Sequence, residues 1–167
     1  MSARGVWPTG GPTGDVAVIR EQPLGTAGLR LEYPIGRILL EYASLLRGVR
    51  VSPQGDRVAL VEGEVGAFGG DVVAVDTSGR RTVLSAGWME VDGLAWSPDG
   101  REVWFTAGGP ARSGVGSWGT LKELRAVSLA GRERLLLRMA GDLTLQDVFR
   151  DGRVLVSHGR TDRKSVV

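Results

Sequence analysis

The sequence contains no cysteine and a single histidine, His158, and these two shortages exclude several kinds of site. Without cysteine the chain can form no disulfide, no zinc–thiolate centre and no thiol nucleophile, and the redox compartment stays open. His158 has no second histidine with which to form a metal pair. We therefore expect it to be an exposed or capping residue.

An excess of charge of either sign is also missing. The 21 basic and 19 acidic residues are spread along the chain without blocks, so no electrostatic footprint for a nucleic acid or an anionic membrane is predicted. No apolar run approaches the roughly 18 residues needed to span a bilayer. The first ten residues, MSARGVWPTG, lack the apolar region of a signal peptide. As given, the sequence is that of a soluble chain without a nucleic-acid or membrane partner.

Proline is scarce, with 7 residues, whereas glycine is abundant, with 26, which indicates many tight turns. Four glycines recur in related turns, with spacings of 41, 45 and 52 residues: Gly14 in PTGD, Gly55 in SPQGD, Gly100 in SPDGR and Gly152 in FRDGR. A second set lies between them: Gly36, Gly79 and Gly131. A period near 40 to 45 residues with two turns per repeat is typical of one four-stranded propeller blade.

The third repeat shows why each unit should be a set of strands. In WSPDGR, Pro98 presets the turn backbone, and Asp99 and Gly100 suit the following positions. The next segment, EVWFTA, has no polar alternation, as expected of a strand covered on both faces. Trp96 and Trp104 are therefore predicted core residues. Asp99 and Asp151 occupy equivalent turn positions, which explains these aspartates better than a pair of catalytic carboxylates.

Two segments could instead be helices. Residues 35–49 carry an apolar stripe at helical spacing that ends near Gly48, and on its own this stripe favours a helix. The register of the repeats favours an outer strand near 37–42 and an inner strand near 48–52. Residues 121–139 show the same ambiguity, and their match to the DVVAVDTSGRRTVLS segment favours strands.

The remaining motifs do not indicate catalysis. GVGSWG, residues 114–119, satisfies a dinucleotide fingerprint literally, but it lies in a length excess of the third repeat and precedes a predicted strand. We interpret it as a surface loop. Asp92, Asp142 and Asp147 flank inner strands, where they could cap turns or bind a cation, but they match no calcium loop. We predict no catalytic, cofactor-binding or metal residue, no cofactor, and no enzymatic activity of this chain.

Two segments, GWMEVDGLAWSPDGREVWFTA and VRVSPQGDRVALVE, resemble the TolB-like β-propeller repeats, which are related to the WD-type repeat. The resemblance covers about residues 5–160. The first copy departs from the pattern at Gly11 and Thr13, and the last at Phe149 and Arg150. Such propellers also follow the catalytic domain of many bacterial Ser/Thr protein kinases and accompany prolyl-oligopeptidase-type hydrolases. No kinase or nucleophile-elbow signature is found here, so the resemblance implies a non-catalytic module and, if it holds, a periplasmic or extracytoplasmic location.

The predicted fold class is all-β: an antiparallel, partial β-propeller of about three and a half four-stranded blades. The predicted blades span residues 5–42, 48–86, 93–139 and 146–160. A closed ring of six or seven blades would need roughly 250 to 315 residues. The last six residues, DRKSVV, break the repeat within a blade and match the translation of a common sequencing-library adapter. We hypothesise that residues 162–167 are a non-native tail.

In such blades the short glycine turns share one end, and the longer connections share the other. The second set comprises the loops 62–70 and 107–120 and the blade linkers 86–92 and 140–146. Binding residues concentrate on loops held by a rigid scaffold. The predicted recognition face is therefore formed by Phe68, Trp88, Arg112 and Trp118, although packing under the blade is at least an equal alternative for both Trp88 and Trp118. The expected partner is a protein or peptide ligand, or a domain of the same parent chain.

Overall fold

The computed structural model describes residues 9–21, 28–42, 44–64, 68–110 and 121–159. Every regular element in these ranges is a β-strand, and all strand pairings are antiparallel. These ranges contain no helix, and hence none that could cross a membrane. The predicted all-β, antiparallel class is confirmed.

The first sheet contains four strands in the order in which they follow one another along the chain. They are β1 (Thr9–Gly10), β2 (Val16–Glu21), β3 (Leu29–Glu32) and β4 (Ile38–Tyr42). Gly14 lies in the turn between β1 and β2, where the repeat alignment predicts the first turn glycine. We call this sheet the first blade.

The second sheet contains seven strands, again adjacent in chain order. They are β5 (Leu45–Val51), β6 (Arg57–Gly63), β7 (Gly70–Asp76), β8 (Arg81–Trp96), β9 (Glu102–Pro110), β10 (Leu121–Ser128) and β11 (Glu133–Ala140). The first half of β8 pairs with β7, and its second half pairs with β9. The sheet is therefore two four-stranded blades joined by one shared strand: the second blade runs from β5 into β8, and the third from β8 to β11.

The fourth blade has two described strands, β12 (Asp142–Val148) and β13 (Val154–Gly159). Only Gly141 separates β11 from β12, and residues 86–92 lie inside β8. The predicted linkers at 86–92 and 140–146 are therefore wrong, because the outer strand of each of these blades continues almost directly, and still extended, into the inner strand of the next. The predicted tail, residues 162–167, lies outside the described residues.

Both segments with a helical alternative are strands. Residues 38–42 and 45–51 form β4 and β5, and residues 121–128 and 133–140 form β10 and β11. Gly36 and Gly48 have φ angles of +93° and +66°, which an α-helix cannot contain. Within the apolar stripe at 35–49, Leu39, Leu46 and Val49 are buried between the first two blades, whereas Ile35 and Ile38 are exposed.

The predicted turn glycines share one backbone conformation. All seven have φ between 67° and 93°: Gly14, Gly36, Gly55, Gly79, Gly100, Gly131 and Gly152. In six of the turns the glycine N–H donates to the carbonyl oxygen three residues before it, as from Gly55 to Ser52 at 2.9 Å. At Gly36 the N–H instead donates to Oε2 of Glu32 at 3.0 Å.

These turns meet at one end of the blades, as predicted. Within the second blade, the Thr77 N–H donates to the Asp56 carbonyl oxygen at 3.2 Å. Between blades, Arg37 donates to the Thr77 carbonyl at 2.6 Å, and Gln54 donates to the Asp99 carbonyl at 2.8 Å. We call this the turn end, and the opposite end, with residues 64, 68, 69 and 88–92, the loop end.

Three apolar clusters form the core, one between each pair of successive blades. The first and second blades bury eleven residues between them, among them Leu31, Tyr33 and Val58. Between the second and third, Trp96 and Phe105 are buried, so the core prediction for Trp96 is confirmed. Trp104 is only partly buried against the third cluster, because the described fourth blade covers the third with two strands.

Candidate functional site

Two of the four predicted recognition residues, Phe68 and Trp88, lie in the described part of the chain, and their surroundings differ. Phe68 is 63% exposed at the loop end, and its carbonyl oxygen accepts a hydrogen bond from the Val91 N–H at 3.2 Å. Trp88 is 8% exposed. Arg112 and Trp118, together with the GVGSWG motif, lie outside the described residues.

Trp88 is a packing residue within β8 rather than a loop residue. Its Nε1 donates to the Ser85 hydroxyl at 2.7 Å, and its ring meets Phe105 edge-on with centroids 5.7 Å apart. The guanidinium of Arg125 lies 5.0 Å from the centroid of the indole ring. Of the two alternatives for Trp88, the structure shows packing, because a tryptophan in the shared strand β8 falls between two blades.

The loop end also contains a buried cation. Lys122 at the start of β10 is 2% exposed, and its Nζ contacts the carboxylates of both Glu90 and Asp92 on β8. Burial acts to lower the pKa of Lys122, but the hydrogen bonds and charges of Asp92 and Glu90 outweigh it and raise the pKa above its ordinary value. The cluster ties the second half of β8 to β10 across β9.

A concavity lies at the turn end, where the inner strands of the blades converge. It has a volume of about 870 Å³ and is lined by residues of all four blades. That volume is within the roughly 300 to 1,000 Å³ of small-ligand pockets. We call it the axial cavity.

Equivalent positions of successive repeats form its wall. The second turn residue is a proline in the first three repeats, Pro12, Pro53 and Pro98, and Arg150 in the fourth, and all four line the cavity. Two residues before each turn, the second, third and fourth blades place Arg50, Ala95 and Asp147, which also line it. The repeat backbone thus builds the wall, while its side chains differ from blade to blade.

Arg50 is the half-buried charge of this wall. Its Nη1 donates to the Val49 carbonyl oxygen at 2.9 Å, and its own carbonyl oxygen accepts from Nε1 of Trp96 at 2.9 Å. Burial lowers the pKa of Arg50 from its ordinary value, and the negative charge of Asp147 opposes that shift. A guanidinium in this position offers directed donors on a rigid strand, which suits binding.

Sequence reasoning did not identify the axial cavity, because it treated the turn end as uniform. A signal was present in the alignment: the position two residues before the turn changes from arginine to alanine to aspartate. Asp147 was assigned a turn-capping or cation-binding role, and its Oδ1 does accept the Val148 N–H at 2.8 Å. His158 is exposed, with Nε2 3.0 Å from the Ala140 carbonyl oxygen, as expected of a capping residue.

A metal site is not apparent in the part of the chain that the structure describes, where no three histidine, aspartate or glutamate side chains are grouped to hold an ion. The carboxylates of Asp99 and Asp151 accept hydrogen bonds within their own turns. Oδ1 of Asp99 accepts from the Ser97 hydroxyl at 2.6 Å, and Oδ1 of Asp151 accepts from the Arg153 N–H at 3.1 Å.

Neither a protein-family model nor a curated protein matches the chain. Solved structures do. The structure of TolB from Acinetobacter baumannii superposes with a TM-score of 0.62 at 18% identity, over 87% of this chain and 36% of that one. A prolyl endopeptidase structure gives a TM-score of 0.65 at 19% identity, over 86% of this chain and 24% of that one. The chain thus spans 36% and 24% of the length of these two proteins, and its fold is a TolB-like, partial β-propeller.

Proposed function

We propose that this chain is a non-catalytic binding module whose ligand is a protein or peptide. The observation that carries the proposal is the axial cavity, a concave site of about 870 Å³ built by equivalent positions of four repeats. Such a site is preformed, because strands and hydrogen-bonded turns fix its wall, and a preformed site loses little conformational entropy when it binds.

The parent protein proposed for this module is a TolB-like protein or the propeller extension of a bacterial Ser/Thr protein kinase, in which the module would serve as a sensor outside the cytoplasm. The superposition on TolB supports the first parent through the fold alone. The kinase parent is supported by the resemblance of the repeat sequences to the propellers that follow bacterial Ser/Thr kinase domains.

A peptide-display selection on the purified chain tests the binding function. Convergent peptides should be enriched, and their binding should be lost in Arg150→Trp, because a bulky side chain at the rim obstructs the axial cavity. The matched control is Arg101→Trp, since Arg101 is an exposed turn arginine that does not line the cavity. Failure to enrich any peptide, or equal binding by both variants, would contradict the proposal.

A second candidate is the propeller that gates a prolyl-oligopeptidase-type serine hydrolase, and the superposition on a prolyl endopeptidase favours it. The two candidates differ in the sequence of the parent gene. A downstream G-x-S-x-G elbow in the same reading frame would support the hydrolase, whereas an upstream kinase domain would exclude it.

A further inference from the structure

The charged side chains in the wall of the axial cavity are not part of the repeated sequence pattern. The position two residues before the turn holds Arg50, Ala95 and Asp147 in successive blades. A charge at this position is not needed to fold a blade, since alanine occupies it in the third. The small side chain of Ala95 also separates the two charged residues along the wall.

Arg50 has no ion-pair partner within 4.0 Å among the residues that the structure describes. In the described part of the chain, none of the ion pairs up to 4.0 Å includes Arg50, Asp147 or Arg150. The one side-chain hydrogen bond of Arg50 among these residues goes to a backbone carbonyl. A guanidinium has five N–H donors, so donors remain for a ligand.

The neighbouring charge at the rim has the same sign. Arg150 replaces the proline of the other repeats, is exposed and lines the same cavity. Two arginines and one aspartate give this wall a net positive charge. An anionic group that enters the cavity meets one partly desolvated cation and one solvated cation, and hydrogen bonds that involve a charged partner are among the stronger ones.

We propose that the axial cavity binds a carboxylate of its peptide ligand, with Arg50 as the main charged partner and Arg150 as a second cation at the rim. The inference rests on the proposed binding function and specifies the class of ligand. Arginine pairs with carboxylate and phosphate alike. The carboxylate is the anion proposed here because the ligand of the proposed function is a peptide, and the Asp and Glu side chains and the C-terminus of a peptide carry carboxylates, whereas a phosphate requires a covalent modification.

The negative charge of Asp147 allows a second prediction, in which a substitution strengthens ligand binding instead of weakening it. Asp147 lies near enough to act on Arg50 electrostatically and therefore repels any carboxylate bound to it. Asp147→Asn removes that repulsion and retains an oxygen that can accept the Val148 N–H. Loss of Arg50 should weaken binding, whereas loss of the Asp147 charge should strengthen it.

Titration calorimetry on the full chain with three synthetic peptides tests the proposal. The first is acetyl-(Ala-Glu)₄-amide, the second replaces every Glu by Gln, and the third is an acetylated alanine octapeptide with a free C-terminal carboxylate. The Glu peptide should bind at least about tenfold more tightly than the Gln peptide, as a charge-assisted hydrogen bond implies. Comparison of the first and third peptides shows whether a side-chain or a terminal carboxylate is preferred.

The variants are Arg50→Gln, Asp147→Asn and the control Arg101→Gln. Arg50→Gln should abolish the preference for the Glu peptide, and Asp147→Asn should increase the affinity for the Glu peptide a few-fold. The control should change neither the preference nor the affinity. If Arg50→Gln does not fold, the affinity of Asp147→Asn for the Glu peptide tests the proposal, and it should exceed that of the wild type.

Two results overturn the inference in different ways. Equal binding of the Glu and Gln peptides to the wild type, or an unchanged affinity for the Glu peptide in Asp147→Asn, would leave a binding module without a carboxylate site. An inorganic-phosphate titration that displaces the Glu peptide at equal or lower concentration would also contradict it. Absence of binding by all three peptides, and by every peptide from the display selection, would defeat the binding function itself.

Discussion

At the turn end, six of the seven chain reversals use one hydrogen-bond scheme, whereas the connections at the loop end differ from one another in length and in contacts. At the turn end, Gly36 and Gly152 are required for their positive φ alone, since the space for a Cβ around them is empty to 4 Å. At the loop end, Gly69 is required for space. A Cβ on Gly69 would lie 2.0 Å from the Trp88 carbonyl oxygen.

This difference means that backbone structure and side-chain identity are independent at the turn end and linked at the loop end. The turn end has a uniform backbone, so side chains such as Arg50 and Asp147 can vary without altering the wall of the axial cavity. At the loop end, the backbone itself depends on individual contacts, including the buried Lys122 cluster. Substitutions of exposed residues should therefore be tolerated at the turn end, and substitutions of contact residues should destabilise the loop end.

The largest effect is expected for Lys122→Met. The change leaves the Glu90 and Asp92 carboxylates without their common cation, and loss of one partner of a buried ion pair costs about 3 kcal/mol of unfolding free energy. The control, Arg101→Met at the turn end, should stay within about 0.5 kcal/mol. Urea denaturation measures both, and equal free energies for the two variants would show that the cluster contributes nothing to stability.

A pair of glycine substitutions should give smaller and qualitatively different effects. Gly69→Ala forces a Cβ against the Trp88 carbonyl and should cost about 2 to 3 kcal/mol. Gly36→Ala has open space and should cost about 1 to 2 kcal/mol for the left-handed backbone. Asparagine, which tolerates that backbone, should recover most of the loss at position 36 and none at position 69. The same recovery at both positions in urea denaturation would contradict the distinction.

The smallest effect is a pH dependence at one turn. Hydrogen bonds from the Ser78 side chain and from the Arg80 and Ser78 N–H groups lower the pKa of Asp76 to about 2, although desolvation acts in the opposite direction. Because the folded pKa is depressed, the stabilisation is present above about pH 4 and is lost as pH falls towards 2. The difference in unfolding free energy between wild type and Asp76→Asn should therefore shrink over that range. A difference that is constant from pH 5 to pH 2 would refute this assignment.

The sequence was sufficient to predict the turn end, because turn chemistry is local. Proline, aspartate and glycine at fixed offsets indicate a turn there, and the seven aligned glycines all have positive φ. The same alignment resolved residues 35–49 as strands, against their helical spacing. Local chemistry of this kind does not depend on which blades are neighbours.

The loop end and the site could not be derived in this way. The continuity of β8, and with it the burial of Trp88, depends on how one blade meets the next. The contact of Lys122 with Glu90 and Asp92 joins residues about 30 positions apart, which no short motif records. The axial cavity is visible only when the inner strands of four blades are placed around a common axis.

The central claim is that a ligand binds at the turn end, in the axial cavity, rather than at the loop end. Amide hydrogen exchange of the chain with and without a selected peptide tests it most directly. The account predicts protection at residues 50–54, 95–98 and 146–150, which line the cavity. Protection confined to residues 68, 69 and 88–92 would contradict it and would place recognition on the loop end instead.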